Sequence, residues 1–295
     1  VKMGRMKLCV VVTLLSIALG ASAQSRLEFT SGLEATSKLG HKFFAVVDEK
    51  SAVAEARKNL AGDPKNPELL LKLAQAQSSV WQDKEAVETL TRAIAISPAN
   101  GDLYIERGHR ELPLRRFEQA RADLEKGAQL SPKNMAAYYH LGLAHYFLGE
   151  FAASAEAFQK AVATAPNTDE RINSTNWLYA SLRRAGKADE AKKALEAVPP
   201  EMKNEAAHTR FYLNLVRVFQ GRMSEADALP PPPPEGNKDP EKELVFDTVA
   251  YGIGNWHLYN GDAAKAREYF QKIVKGHVWI TWGFVGAEQD LLRKN

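Results

Sequence analysis

Seven histidines, a single cysteine and 36 Asp and Glu residues are the groups through which this chain could do bond-making chemistry. Metal binding needs ligands at short, fixed spacings. His140 and His145 are five residues apart, which sets them about 140° apart around a helix rather than on one face, and no H-E-x-x-H or paired His/Cys motif occurs. His145 and His257 fall at inward-facing helix positions and read as packed, hydrogen-bonded side chains. Nucleophilic chemistry has no better footing. Cys9 lies in a leader segment, there is no G-x-S-x-G elbow, and no glycine-rich phosphate loop is followed by a lysine. Carboxylates such as Glu125 and Glu150 are scattered among basic residues and read as solvated helix faces. No cofactor, no metal and no enzymatic activity are expected. The chemistry that remains is recognition, because aromatic rings recur beside amides and guanidinium groups. Tyr139, Tyr146 and Tyr251 offer apolar area at low conformational cost. Asn176 and Asn255 can pair with a peptide backbone through donor and acceptor together, and Arg183 and Arg184 can hold a carboxylate.

These side chains are set out by an internal period. Pro98, Pro132 and Pro166 recur at an interval of 34, as do Ala86, Ala120 and Ser154, then Leu90, Leu124 and Phe158, then Ala93, Gly127 and Ala161. Within a unit the apolar spacing is helical: Tyr138, Leu141, Gly142 and His145 mark one face of a first helix. Gly149 turns the chain, and Phe151, Ser154, Ala155, Phe158 and Ala161 line a second helix that Pro166 ends. Asn100, Asn134 and Asn167 suit the following turns and helix caps. Small residues at 86, 120 and 154 allow two helices to approach closely, with the Ser154 hydroxyl expected to bond back to the carbonyl four residues earlier.

The run Tyr138, Leu141, Gly142, Phe158, Ala161 and Pro166 resembles the tetratricopeptide repeat pattern, with Ser154 where the family usually has Ala and Tyr146 one place after the family aromatic. The resemblance implies an all-α, right-handed solenoid of paired antiparallel helices whose first helices line a concave groove. It further implies that the stripe Tyr139, Leu143 and Tyr146 faces that groove, as do Ile105, His109 and Leu112, then Asn176, Ala180 and Arg183, then Phe211, Leu215 and Val218, then Tyr251, Asn255 and Leu258. The candidate peptide-binding residues are therefore His109, Tyr139, Tyr146, Asn176, Arg183, Tyr251 and Asn255.

Later turn glycines, Gly186, Gly221 and Gly261, and later small residues, Ala191, Ala226 and Ala266, keep the units going with insertions. Tandem repeats are expected over 67–229, with a fifth unit whose second helix is cut short by Pro230. A polyproline spacer follows over 230–243, opened by Pro230 to Pro234. A final unit and a capping helix from about Thr281 to Arg293 occupy 244–295. Residues 41–66 read as a degenerate leading helical unit and 24–40 as a mobile arm. The start, with Lys2, Arg5 and Lys7, then the apolar run Leu8 to Leu19, then Ala21-Ser22-Ala23, reads as a signal peptide over 1–23. Its removal takes three basic residues from a formal charge of +3 and leaves none, too little to hold nucleic acid by counterion displacement.

The expected function is a protein- or peptide-binding scaffold, periplasmic or secreted, with no membrane insertion once the signal is cleaved. An enzyme or small-molecule binder would instead show a pocket near the proline-rich interruption with convergent titratable groups. A self-assembling structural repeat would expose apolar surface at 43–60 or 279–291.

Overall fold

The computed structural model describes residues 28–204, 206, 209–234, 237 and 239–293. The expected signal peptide lies outside them, as do residues 24–27. Among the described residues the body is an all-α solenoid. Its units pair α2 (Pro67–Ser79) with α3 (Asp83–Ile96), α4 (Gly101–Glu111) with α5 (Phe117–Leu130), α6 (Met135–Leu148) with α7 (Phe151–Thr164), and α8 (Thr168–Arg184) with α9 (Ala188–Ala194). Next come α10 (Arg210–Phe219) with the four-residue α11 (Glu225–Ala228), then α12 (Pro240–Tyr259) with α13 (Ala263–Ile273), and last α14 (Trp282–Leu292). From α2 to α9 each helix packs chiefly on its neighbours in sequence, the property that defines a solenoid. A further helix, α1 (Ala52–Ala61), packs on α2.

The period has the physical causes read from it. Asn100, Asn134 and Asn167 cap their helices, the Asn side chain accepting from Asp102, Ala136 and Glu170 backbone N–H at 3.1, 3.0 and 2.9 Å. Ala86, Ala120, Ser154, Ala191 and Ala266 are fully buried where helices cross. Gly142 packs under Phe158 so tightly that a Cβ there would lie 2.7 Å from the ring. The Ser154 hydroxyl does not turn back on its own helix. It donates across the hairpin to the Gly142 carbonyl at 2.8 Å, with Ser181 Oγ also at 2.8 Å. Gly149, Gly186, Gly221 and Gly261 all have φ between 71° and 93°, the left-handed turn that glycine permits. The same position one and two periods earlier than Gly149 is held by Arg115 and Trp81, both at φ 60°.

Four expectations are corrected. Residues 29–36 are not a free arm: they form β1 (Phe29–Thr36), paired antiparallel with β2 (Lys42–Val46). The leading unit is thus half strand and half helix, since Phe43 and Ala45 alternate inward with Phe44 and Val46 less buried, a period of two. The spacer is shorter than 230–243, because Asp239 caps α12 at Glu241 N–H (3.0 Å) and Pro240 takes the first helical position. In the fifth unit Ala226 is exposed and Ala228 is buried instead, since four helical residues cannot carry the register.

α14 has the expected bounds and packs chiefly on α12 and α13 of the last unit, as a capping helix does. The segment from Val278 to Arg293 folds back across the units, reaching α6, α12 and α13 as well as the N-terminal hairpin. Val278, Trp279, Phe284, Val285 and Ala287 are all at most 3% exposed and belong to one core with Phe43, Leu112, Tyr146 and Phe147.

Candidate functional site

The concave face is built from the first helices of the units, and the chain's own C-terminal segment packs against α6 and α12 of it. The turns at 81, 115 and 149 form the seat. Trp81 meets Trp279 edge-on at 6.1 Å. Arg115 donates through Nε to Glu288 at 2.7 Å and through Nη1 to the Trp279 carbonyl at 3.0 Å, while its guanidinium lies 4.3 Å from the Phe43 ring centre. Arg293 donates to the Tyr146 and Phe147 carbonyls at 2.9 Å at the end of α6, where the Tyr146 oxygen also accepts from Gly149 N–H at 3.0 Å. Glu288 is fully buried. Burial lowers the pKa of Arg115 from its ordinary value, and the neighbouring Glu288 charge and hydrogen bond oppose that shift.

The seven predicted residues are brought to this interior, and all but Asn176 are bonded to or stacked against the protein itself. Tyr139 is buried and donates to Asn173 at 3.1 Å. Tyr146 donates to Asn255 Oδ1 at 3.0 Å, and the same oxygen accepts from Arg184 at 2.9 Å. Tyr251 donates to Asp290 at 2.9 Å, and Arg184 holds the other oxygen of that carboxylate at 2.9 Å. Arg183 ties the fourth unit to the sixth: it donates to Tyr179 OH at 3.0 Å, to the Tyr259 carbonyl at 3.1 Å and to Asn260 at 2.8 Å, and it covers the Tyr259 ring. His109 stacks on His140 at 3.9 Å, with Trp282 at 5.6 Å. Burial and the Arg110 charge hold His140 down at about 3, and His109 well below its usual value, so both are neutral near pH 7.

Asn176 is the candidate left with unused capacity. It lines a crevice with Trp177, Ala180, Thr248, Tyr251 and Asn255 beneath Trp282, and its Oδ1 and the Trp177 Nε1 have no hydrogen-bond partner. The crevice holds about 10 Å³, room for one water and not for a peptide. Over units three to six the predicted groove positions Tyr139, Tyr146, Tyr251 and Asn255 are buried under the protein's own side chains, and the reason is energetic. Moving Trp279, Phe284 and Val285 back into water would cost roughly 5–9 kcal/mol at 1.5–3 kcal/mol per buried side chain.

Arg184 holds a carboxylate, as the sequence suggested, but that carboxylate is the protein's own Asp290. Sequence reasoning missed Arg115, Glu288 and Asp290, which with Arg184 are the charges that hold this closure. One signal was present: the position of Gly149 becomes Arg115 and Trp81 in the earlier units, a departure from the repeat at a turn where glycine is the natural choice. Elsewhere, His145 pairs with Glu150 at 2.6 Å and His257 with Glu225 at 3.0 Å, in keeping with packed, bonded histidines. Among the described residues no group of three or more His, Cys, Asp or Glu could hold a metal ion, and no helix is long and apolar enough to cross a membrane.

Among solved structures, the chain is similar to MamA at 27% identity over 54% of this chain and 87% of that one, with a TM-score of 0.47. It is similar to MamA from Desulfovibrio magneticus RS-1 at 22% identity over 50% and 81%, with a TM-score of 0.45. It is also similar to YrrB, described as a TPR protein with an unusual peptide-binding site, at 16% identity over 78% and 97%, with a TM-score of 0.46. Likeness this loose says nothing about how the units of this chain are arranged. No curated protein matches the chain. Tetratricopeptide repeat family models match residues 105–168 and 248–277, which fall on the hairpins from α4 to α7 and on α12 with α13. On those hairpins and their packing, residues 105–168 and 248–277 are tetratricopeptide repeats.

Proposed function

We propose that this protein is a protein-binding scaffold acting outside the cytoplasm, and that its partner meets the N-terminal part of the concave face, on α2 and α4, rather than the filled centre. One observation carries this reading. Stepping back 34 residues from Ile105 and His109 along the groove-facing stripe gives Leu71 and Gln75, and there the stripe is open: Gln75 is exposed and Leu71 half-buried, whereas Leu143, Tyr146, Tyr251 and Asn255 are buried. Gln75 offers donor and acceptor together, Leu71 offers apolar contact, and Glu106 and Arg110 stand half-buried on the neighbouring first helix. That set suits a short polar segment of a protein partner.

Action outside the cytoplasm rests on the basic start, the apolar run and Ala21-Ser22-Ala23. The mass of the protein recovered from its native host tests it, a mature N-terminus at Gln24 being the expected result. The binding face is tested with a photo-crosslinking residue placed at Gln75 or, as control, at the exposed Lys126 on α5. Adducts are expected at Gln75, to disappear when Leu71→Arg is added. Equal adducts at both positions, or adducts indifferent to Leu71→Arg, would sink this assignment. The crevice at Asn176 gives the small-molecule reading no support, because it has room for a single water.

A further inference from the structure

We propose that the outer face of the N-terminal hairpin docks on an anionic lipid surface, with its turn entering first. The chain's exposed large apolar side chains among the described residues are Phe29, Leu33, Leu39, Val47 and Ile96, and the first four lie on this hairpin or directly after it. Clustering of that kind marks an interaction surface rather than ordinary scatter. The charge on the same segment has one sign. Between Phe29 and Val47 the acidic residue is Glu34, which is 7% exposed and turned inward to accept from the Lys84 backbone N–H at 3.0 Å. The outward charges are Lys38 and Lys42, on either side of Leu39. Acidic residues return beyond the open end of the hairpin, at Glu28 and Glu49, both exposed, beside Phe29 and Val47, so the end that joins positive charge to an exposed apolar side chain without acids is the turn, with Leu39.

The turn is built to present these groups. Ser37 accepts from Leu39 and His41 N–H at 3.2 Å and donates its own N–H to the His41 carbonyl at 2.9 Å. Gly40 takes φ 88°, which places Leu39 at the apex. An exposed apolar apex between two lysines is the arrangement that partitions into the headgroup region, the ring or alkyl group entering the acyl boundary and the ammonium groups meeting lipid phosphate. An acidic protein would also attract the lysines. It would need a shape complementary to apolar groups spread over roughly 25 Å of strand, at ~3.3 Å per residue, whereas a bilayer needs none.

The test uses the chain from Gln24, which holds every residue of the folded body, and sedimentation with vesicles of phosphatidylglycerol and phosphatidylcholine or of phosphatidylcholine alone. Binding is expected only with phosphatidylglycerol, falling as salt is raised. Lys38→Ala with Lys42→Ala should weaken it roughly thirtyfold, at ~1 kcal/mol per lysine, and Leu39→Asp should abolish it. All three sites are exposed, so an unchanged melting curve certifies the fold. No binding to phosphatidylglycerol vesicles overturns the proposal, as does binding that ignores all three substitutions. Binding of poly-L-glutamate without binding of vesicles overturns it in favour of an acidic protein. None of these outcomes touches Leu71 or Gln75, so the scaffold reading stands or falls separately.

Discussion

Arg115 holds a left-handed backbone at a turn where the next unit has Gly149, a conformation that costs a non-glycine residue about 1 kcal/mol or more. Its side chain offsets that cost by being the charge partner of fully buried Glu288. Arg115→Gly relieves the turn and strands the carboxylate. The expected outcome is a net loss of about 2–4 kcal/mol in urea denaturation, with part of it restored in Arg115→Gly/Glu288→Gln. A stabilised single variant would mean that turn strain outweighs the ion pair. Buried titratable groups in the interior pull against one another with pH. Burial, and then the Asp169 charge, raises Glu170 to about 7, with its Oε2 unpartnered. Its folded pKa lies above the unfolded value, so the native state binds the extra proton and stability falls as pH rises from about 4.5 to 7. Glu170→Gln should therefore gain about 1–3 kcal/mol at pH 8 and little at pH 4.5. His140 works the other way. Held at about 3, it is neutral in the fold and protonated in the unfolded chain, so stability is lost as pH falls below about 6.5. Urea midpoints at pH 6.5 and 4.5 should drop less for His140→Phe than for the parent.

The hairpins were legible from sequence because their requirements are local. A cap asparagine, a turn glycine and a small residue at a helix crossing each act within one unit, and repetition every 34 residues made them visible. Gly142→Ala should cost about 1–3 kcal/mol, since the new methyl would sit 2.7 Å from Phe158 with no room to move. The measurement is thermal or urea unfolding, and a neutral result would show that the ring can shift. Other elements could be read only in part. β2 carried a two-residue alternation in Lys-Phe-Phe-Ala-Val, yet β1 is irregular, with register shifts between Phe29 and Leu33 and between Leu33 and Ala35, and so shows no alternation to read. The apolar face of α14 announced a packed helix without saying what it packs on.

At the scale of the molecule, the C-terminal segment changes how the solenoid behaves. Open repeat arrays unfold with contacts only between neighbours, but here Arg115 reaches Glu288, Arg293 reaches the end of α6, and Trp279 Nε1 donates to the Phe44 carbonyl at 3.1 Å. These ties span the chain from β2 to α14. The intact protein should unfold in one cooperative urea transition, and a chain ending at Lys275 should lose roughly 5–9 kcal/mol and unfold in broader, separate steps. A truncated chain with the same single transition would show that the ties are incidental. Sequence alone determined the repeat, the helix ends, the turn glycines and the absence of any catalytic motif, because each is a relation among residues a few positions apart. Tertiary structure decided which concave positions stay open. Tyr139, Tyr146, Tyr251 and Asn255 have the chemistry of a peptide groove. Whether that chemistry meets a partner or the protein's own Asn173, Asp290 and Arg184 depends on where residues 34 to 109 positions apart come to rest, and no local spacing encodes it.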